Sequence, residues 1–292
     1  MITLREIWCQ GVDILRQAGV ETPALDAEIL LRHLTGQSRE EFYRDLTAPW
    51  PLVLTSNWKE IINRRALGTP VAYLTGEKEF FGLSLKVAPA VLVPRPETEI
   101  LVERALQLVA EEQILAKCQV LDIGTGSGAI AVALAVNLPE AFITATDVSD
   151  AALEIAGENA IRHKVKQRVR FCSADLWPEP KSDWEYAWGQ QGFHLIVSNL
   201  PYIPSGDIQK LAPEVRQEPE LALDGGLDGL DIYRRLVSGL KEHLLPNGWV
   251  LLEVGSDQAD TVSRMLASVG LSVLPPLLDL AGHKRVVQAV YR

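Results

Sequence analysis

Val120-Leu-Asp122-Ile-Gly124-Thr125-Gly126-Ser-Gly128-Ala-Ile-Ala131 runs from an apolar strand through three alternating glycines into an alanine-rich helix. Glycine lets the backbone approach a ligand closely, and a helix N-terminus offers free N–H groups. The spacing is neither the six-residue dinucleotide fingerprint nor a P-loop, because no Lys-Ser/Thr follows. A second apolar segment, Phe142-Ile-Thr-Ala-Thr-Asp147, ends in an acid about twenty residues past the glycines, where a ribose diol is commonly held. Asp147 is equally placed to cap the helix beginning near Ala151, a task open also to Ser149 and Asp150. From residue 96 onward, strand-like segments near 119–123, 142–147, 168–172, 193–198 and 248–254 alternate with helical stretches. This order predicts an open, largely parallel α/β sheet. Segments near 270–275 and 285–291 are expected to close it as a hairpin.

Leu195-Ile-Val-Ser-Asn199-Leu200-Pro201-Tyr202 ends the fourth of these strands. The strand delivers an amide, a rigid turn and an aromatic ring to one rim of the sheet. An Asn side chain both accepts and donates hydrogen bonds. Pro201 fixes its own φ and biases Leu200 toward an extended conformation, holding the Leu200 carbonyl in place. The set suits a planar group bearing an NH2, such as a carboxamide or a nucleobase amine. An ordinary strand-to-loop transition would use the same residue types.

These segments together resemble a known family. Asp122-x-Gly-Thr-Gly-Ser-Gly is similar to motif I of class I methyltransferases that use S-adenosylmethionine, and Asn-x-Pro-Tyr to their amino-methyltransferase signature. Val93-Pro-Arg95-Pro-Glu97-Thr98-Glu99, Glu218-Pro219 through Asp228-Gly229-Leu-Asp231-Ile-Tyr233, Leu252-Glu253-Val-Gly255-Ser-Asp-Gln258 and Lys284-Arg285-Val-Val narrow the match. The chain resembles, over nearly its whole length, the HemK/PrmC family of protein-(glutamine-N5) methyltransferases of class I peptide-chain release factors. One residue departs: the family usually has Asn-Pro-Pro-Tyr, and here the second position is Leu200. Asn-Leu-Pro-Tyr is also at home in rRNA adenine dimethyltransferases. A backbone carbonyl is what this position is asked to supply, so Leu should serve.

The resemblance implies a class I S-adenosylmethionine-dependent methyltransferase fold, α/β and Rossmann-like. It implies that Asp122, Gly124, Thr125, Gly126 and Gly128 hold the methionine part of the cofactor, that Asp147 takes the ribose hydroxyls, and that Asp175 and Leu176 edge the adenine. Asp175 also fits a loop or capping role. Asn199, Leu200, Pro201 and Tyr202 are the candidate catalytic and acceptor-binding residues, with Asn199 near the cofactor too. Arg95, Glu97 and Thr98 are placed beside the pocket, although a linker with surface ion pairs would look the same. S-adenosylhomocysteine would be the other product.

Direct transfer from a sulfonium requires no nucleophilic Ser, Cys or Lys. Alignment and polarisation are enough: Asn199 Oδ1 and the Leu200 carbonyl accept both amide hydrogens, and Tyr202 flanks the amide plane. The alternatives are methylation of adenine or cytosine amino groups in nucleic acid, of a ribosomal-protein glutamine, or a binding module that has lost catalysis.

Composition bounds these readings. The chain of 292 residues has room for a large and a small domain, and 47% hydrophobic residues suffice for a core. A net charge of −10 without a dense basic run argues against a bulk RNA or DNA substrate and is compatible with a protein one, which the resemblance implies is a release factor, with no direct nucleic-acid partner expected. Cys9, Cys118 and Cys172 are scattered, and the five histidines form no cluster, so neither a metal site nor a histidine triad is expected. No signal-peptide pattern and no apolar run of ~18 residues occurs, so no membrane association and a reducing cytoplasm are expected.

Residues 1–72 read as a small helical bundle, with Leu4, Ile7, Trp8, Val12 and Leu15 on one face; a decoration that shields an apolar face would read the same, and the resemblance implies a substrate-recognition domain. Residues 73–95 read as a linking β-hairpin around Gly76 and Gly82, and 96–292 as the catalytic domain. Pro178 to Gly192, with Trp184, Tyr186 and Trp188, is expected to be an inserted loop.

Overall fold

The computed structural model describes residues 2–111, 113–178 and 192–292. The chain divides into two compact units, one of residues 1–77 with 211–217, the other of residues 78–210 with 218–292.

The first unit is helical: α1 (Leu4–Gln17), α2 (Pro23–Thr35), α3 (Arg39–Arg44), α4 (Thr55–Ala66) and α5 (Val71–Thr75). Two of the starts are written in the sequence. Thr3 and Glu6 form a reciprocal capping box before α1, and Ser38 and Glu41 do so before α3. Leu15, Leu30, Leu31, Phe42, Trp58 and Ile62 are buried in its core. Gly11 lies under Trp58; a Cβ there would come within 2.5 Å of the indole. Arg65 is buried, donates to Asp26 at 2.7 Å and pairs with Glu214. That second pair ties residues 211–217 to the unit, a return of the chain that a boundary near residue 72 leaves out.

The hairpin is shorter than the alternation over 73–95 suggests. It consists of β1 (Glu77–Phe80) and β2 (Leu83–Lys86). Val71–Thr75 is helical instead, because the Thr75 hydroxyl donates back to the Val71 carbonyl and Gly76, at φ 77°, stops the turn.

After α6 (Glu99–Ala110), the second unit alternates strand and helix: β3 (Gln119–Ile123), α7 (Ala129–Asn137), β4 (Phe142–Asp147), α8 (Asp150–Arg162), β5 (Val169–Ser173), β6 (Phe193–Ser198), α9 (Asp231–His243), β7 (Leu244–Glu253), α10 (Ala259–Ser268), β8 (Ser272–Leu278) and β9 (Lys284–Val290). The sheet order is β5-β4-β3-β6-β7-β9-β8. The first five strands are parallel, and β9 runs antiparallel to both β7 and β8. The late hairpin therefore closes the sheet as expected.

Both faces of the sheet are covered, which is why its strands are apolar throughout rather than alternating. Val120, Leu195, Val197 and Leu251 join the core beneath α6 and α7. Their neighbours Leu121, Ile196, Val250 and Leu252 join the core beneath α9 and α10. Every residue of α7 from Ala129 to Ala135 is buried, so its apolar surface extends around the helix. The strand order reverses between β3 and β6. In a sheet of this kind, a crevice opens there beyond the carboxyl ends of the strands. The inserted loop expected over 178–192 lies, apart from its ends, outside the described residues. Among the described residues no helix is long and apolar enough to cross a membrane.

Candidate methyl-transfer site

A cavity of about 450 Å³ lies at this switch point, within the size range of small-molecule sites. One wall is the loop after β3. Gly124, Gly126 and Gly128 have φ values of 71°, 54° and 79°, a region that favours glycine. The alternation of glycines is thus a requirement of the backbone path. The Gly124 and Thr125 N–H groups both donate to the Thr146 carbonyl at 2.9 Å, anchoring the loop to β4. A Cβ on Gly128 would lie 3.0 Å from the Ala156 Cβ, so this glycine also permits α7 and α8 to approach.

Asp122, expected among the cofactor contacts, does not line the cavity. It is fully buried beneath the loop, where one carboxyl oxygen accepts from the Thr125 hydroxyl at 2.7 Å and the Ala131 N–H at 3.2 Å. Its other oxygen has no partner among the described residues. Burial pushes the carboxyl up to about 7, against the lowering effect of the two hydrogen bonds. Its visible work is to shape the loop.

Asp147 lines the cavity. One oxygen accepts from the Gly126 N–H and the other from the Ser149 N–H, each at 2.9 Å. Helix α8 is capped by Ser149, whose hydroxyl accepts from Ala152 at 3.2 Å. With capping assigned elsewhere, Asp147 retains lone pairs for a guest's hydroxyl groups. Asp175 and Leu176 also face the cavity. The Asp175 carboxylate pairs with Arg235 at 2.6 Å on the exposed rim. Leu176 is buried at φ 70°, a costly conformation for a branched side chain, and its carbonyl is gripped by the Thr146 hydroxyl at 2.9 Å. Its side chain, with Ile130 and Val148, gives the wall beside Asp147 an apolar surface suited to a planar heterocycle.

The adjoining wall comes from β6, the strand paired with β3. The Ser198 hydroxyl donates to the Ile123 carbonyl at 2.6 Å and locks the two strand ends together. Asn199, Leu200 and Pro201 then line the cavity. Asn199 Nδ2 donates to the Thr98 hydroxyl at 3.1 Å, and Oδ1 has no hydrogen bond among the described residues. The bond to Thr98 thus holds the amide nitrogen and leaves the oxygen without a protein partner among the described residues, on a side chain that lines the cavity. The Leu200 side chain is buried and would lie 3.2 Å from a Cβ on Gly124, so it packs directly against the glycine loop. Its carbonyl lies 3.3 Å from the Tyr233 hydroxyl, whose shorter contact, 2.5 Å, is with the Glu253 carbonyl. A carbonyl has two lone pairs, so at least one remains for an acceptor.

Tyr202 and Glu97 are not part of the cavity wall. The Tyr202 ring packs on the core beneath α9, and burial, with help from Glu253, pushes its phenol up to about 12. Its carbonyl accepts from Gln258 at 2.8 Å. Arg95 does line the cavity, held by Glu218 at 2.5 Å. Glu218 also accepts from the Val93 N–H at 2.9 Å and so fixes the whole 93–95 wall. Thr98, Tyr233, Glu218 and Glu253 thus support the site. Sequence reasoning quoted all four without giving them these tasks, because their partners lie far away along the chain.

Two family models match the chain: the PrmC N-terminal domain over residues 6–76 and a methyltransferase domain over residues 114–222. The fold is shared with a methyltransferase from Pyrococcus furiosus, at a TM-score of 0.52 and 20% identity over 80% of this chain and 98% of that one. The release factor glutamine methyltransferase of Geobacter sulfurreducens is 41% identical over 98% of this chain and 95% of its own. That of Moorella thermoacetica is 40% identical over 100% and 99%. Likeness at this level, spanning the helical unit, the glycine loop and the Asn199 turn alike, means that the chain belongs to the release factor glutamine methyltransferases.

Proposed function

We infer that the protein transfers a methyl group from S-adenosylmethionine to the side-chain amide nitrogen of the glutamine in the Gly-Gly-Gln motif of class I release factors, and so acts in translation termination. The observation that carries this reading is the Asn199 amide at the cavity wall, its nitrogen held by Thr98 and its oxygen without a hydrogen bond among the described residues.

The residues present fit the cofactor. The glycine loop leaves room for the methionine part, Asp147 accepts from the ribose hydroxyls, and the apolar wall around Leu176 edges the adenine. When bound, S-adenosylmethionine supplies an electrophilic methyl group on a sulfonium. An amide nitrogen is a poor nucleophile because its lone pair is delocalised. Asn199 Oδ1 and the Leu200 carbonyl accept its two hydrogens, point its lone pair at the methyl group and stabilise the positive charge that grows on it. By holding the nitrogen in line with the methyl group of a bound cofactor, these two acceptors would reduce the entropic cost of the transfer that S-adenosylmethionine would supply. The nitrogen then loses one proton to water. Pro201 keeps the turn rigid, Tyr202 braces it from the core side, and Arg95 lines the cavity beside the acceptor. The helical unit is assigned recognition of the release factor; Leu52 and Val53, adjacent and largely exposed, give it an apolar contact point.

The test is incubation with radiolabelled S-adenosylmethionine and, in separate reactions, a release factor, ribosomes and DNA. Label is expected in the release factor and to vanish when its motif glutamine is replaced. Label in DNA or ribosomes alone would overturn the reading.

A further inference from the structure

S-adenosylmethionine carries one negative group, the carboxylate of its methionine part, and the loop given to that part has few donors to spare. The Gly124 and Thr125 N–H groups both donate to the Thr146 carbonyl, the Gly126 N–H to Asp147 and the Gly128 N–H to the Thr125 carbonyl. The Ala131 N–H, in the first turn of α7, donates to Asp122. A helix N-terminus binds an anion through free N–H groups, and these five are spent inside the fold. The Asp147 carboxylate beside the loop repels a second anion. A carboxylate brought into a cavity without a charged or hydrogen-bonding partner is costly to desolvate.

Among the described residues that line the cavity, two are cations, Arg95 and Arg235. Their neighbours differ. Arg235 pairs with Asp175, beside the wall given to the adenine. Arg95 opens the turn that ends at Thr98: the Thr98 N–H donates to the Arg95 carbonyl at 3.1 Å, and the Thr98 hydroxyl holds Asn199. Arg95 is also the better braced of the two, with a side chain 31% exposed against 55% for Arg235. Glu218 holds one of its nitrogens at 2.5 Å, and Glu218, almost fully buried, is itself fixed by the Val93 N–H at 2.9 Å. A guanidinium has five N–H donors in a rigid fork, so a grip on one nitrogen leaves donors for a second carboxylate.

We propose that Arg95 anchors the cofactor's carboxylate: its guanidinium, braced by Glu218, pairs with the α-carboxylate of S-adenosylmethionine. This rests on the cofactor site inferred above, with the ribose at Asp147 and the methionine part at the glycine loop. The loop then supplies a shape that admits the methionine part, and Arg95 supplies the charge that retains it. Tethering the cofactor at both ends, nucleoside at Asp147 and carboxylate at Arg95, restricts where the sulfur between them can lie. A lysine at this position would keep the charge and lose the fork that serves Glu218 and the cofactor together.

The measurement is calorimetric titration of the cofactor-free protein with S-adenosylhomocysteine and with its decarboxylated analogue, which keeps the amine, the thioether and the nucleoside. Wild type is expected to bind the analogue more weakly by a factor on the order of tenfold to a hundredfold, the range of one lost hydrogen bond to a charged group. Arg95→Met is expected to bind the two compounds equally, having lost its preference for the carboxylate. Arg95→Lys is expected to show an intermediate ratio. Arg235→Met, beside Asp175, is expected to keep the wild-type ratio. The ratio is read within each variant, so a general loosening of the cavity wall, which weakens both compounds alike, does not imitate the result. Equal binding of the two compounds by wild type would overturn the proposal. So would a wild-type ratio retained in Arg95→Met, or a preference that vanishes in Arg235→Met instead. Failure of wild type to bind S-adenosylhomocysteine would remove the cofactor site itself, whereas binding that ignores the carboxylate removes only the part given to Arg95.

Discussion

Asp147 and Leu200 both line one cavity and are expected to respond to substitution in different ways. Asp147 holds two backbone N–H groups and offers its remaining lone pairs to the cavity. Asp147→Ala is expected to weaken S-adenosylmethionine binding by about 1–3 kcal/mol, the usual loss for a charged hydrogen-bond partner. Unchanged affinity by calorimetry would remove it from the cofactor site. Leu200 is assigned a carbonyl role in the proposed transfer, and its buried side chain packs over Gly124. Leu200→Pro is therefore expected to keep the methyl-transfer rate within a few-fold, while lowering stability by about 1–2 kcal/mol through lost packing. Equal stability by urea unfolding, or a large loss of rate, would contradict that division. The buried side chain also gives the departure from Asn-Pro-Pro-Tyr a physical meaning: here the turn is held partly by packing instead of by a second ring.

At the scale of elements, much was legible in the sequence and the failures are local. The strands from β3 to β9 follow from apolar runs bounded by glycines, prolines and acids. The three glycines at alternate positions announced a loop whose backbone turns left-handed three times. Gly128→Ala is accordingly expected to cost about 1–3 kcal/mol, since it forces a side chain into that conformation against Ala156. A variant as stable as wild type by urea unfolding would show that α7 and α8 can part without penalty. The hairpin was read too long because alternation over 73–76 mimics a strand, whereas the Thr75 hydroxyl and Gly76 close a helical turn. Residues 211–217 were read as part of the catalytic region because nothing local records that Glu214 pairs with Arg65, 149 positions away. The same holds for Thr98 and Asn199, which meet across 101 positions. Pairings of that kind are decided by the sheet order, which individual segments do not encode.

Across the whole molecule, buried carboxyls set how stability depends on pH. Asp122 and Glu253 are both raised to about 7 by burial. A folded state that keeps a carboxyl protonated loses stability as the unfolded chain ionises. The loss begins near the ordinary carboxylate range, about pH 4, and is complete above about 7. Asp45, Asp224 and Asp279 are lowered by hydrogen bonds and act in the opposite sense only at more acid pH, while His194, lowered by burial, opposes the fall near pH 6 as one group against two. The urea midpoint is therefore expected to fall between pH 5.5 and 8, and Asp122→Asn to reduce the fall. A midpoint rising over that range would mean that both carboxyls are ionised in the fold.

The most direct test of the function assigned to this fold is the Asn199→Ala variant in single-turnover methylation of a release factor, beside a cofactor titration. Asn199 lines the cavity with its Oδ1 unbonded among the described residues, and the cofactor is assigned to the glycine loop and Asp147, so loss of the amide should remove alignment of the acceptor and leave the cofactor's contacts intact. The expected result is a rate lower by ~10²–10³ with S-adenosylmethionine affinity close to wild type. Transfer at the wild-type rate would contradict the role given to the Asn199 turn, and with it the reading of the cavity as a glutamine methyl-transfer site.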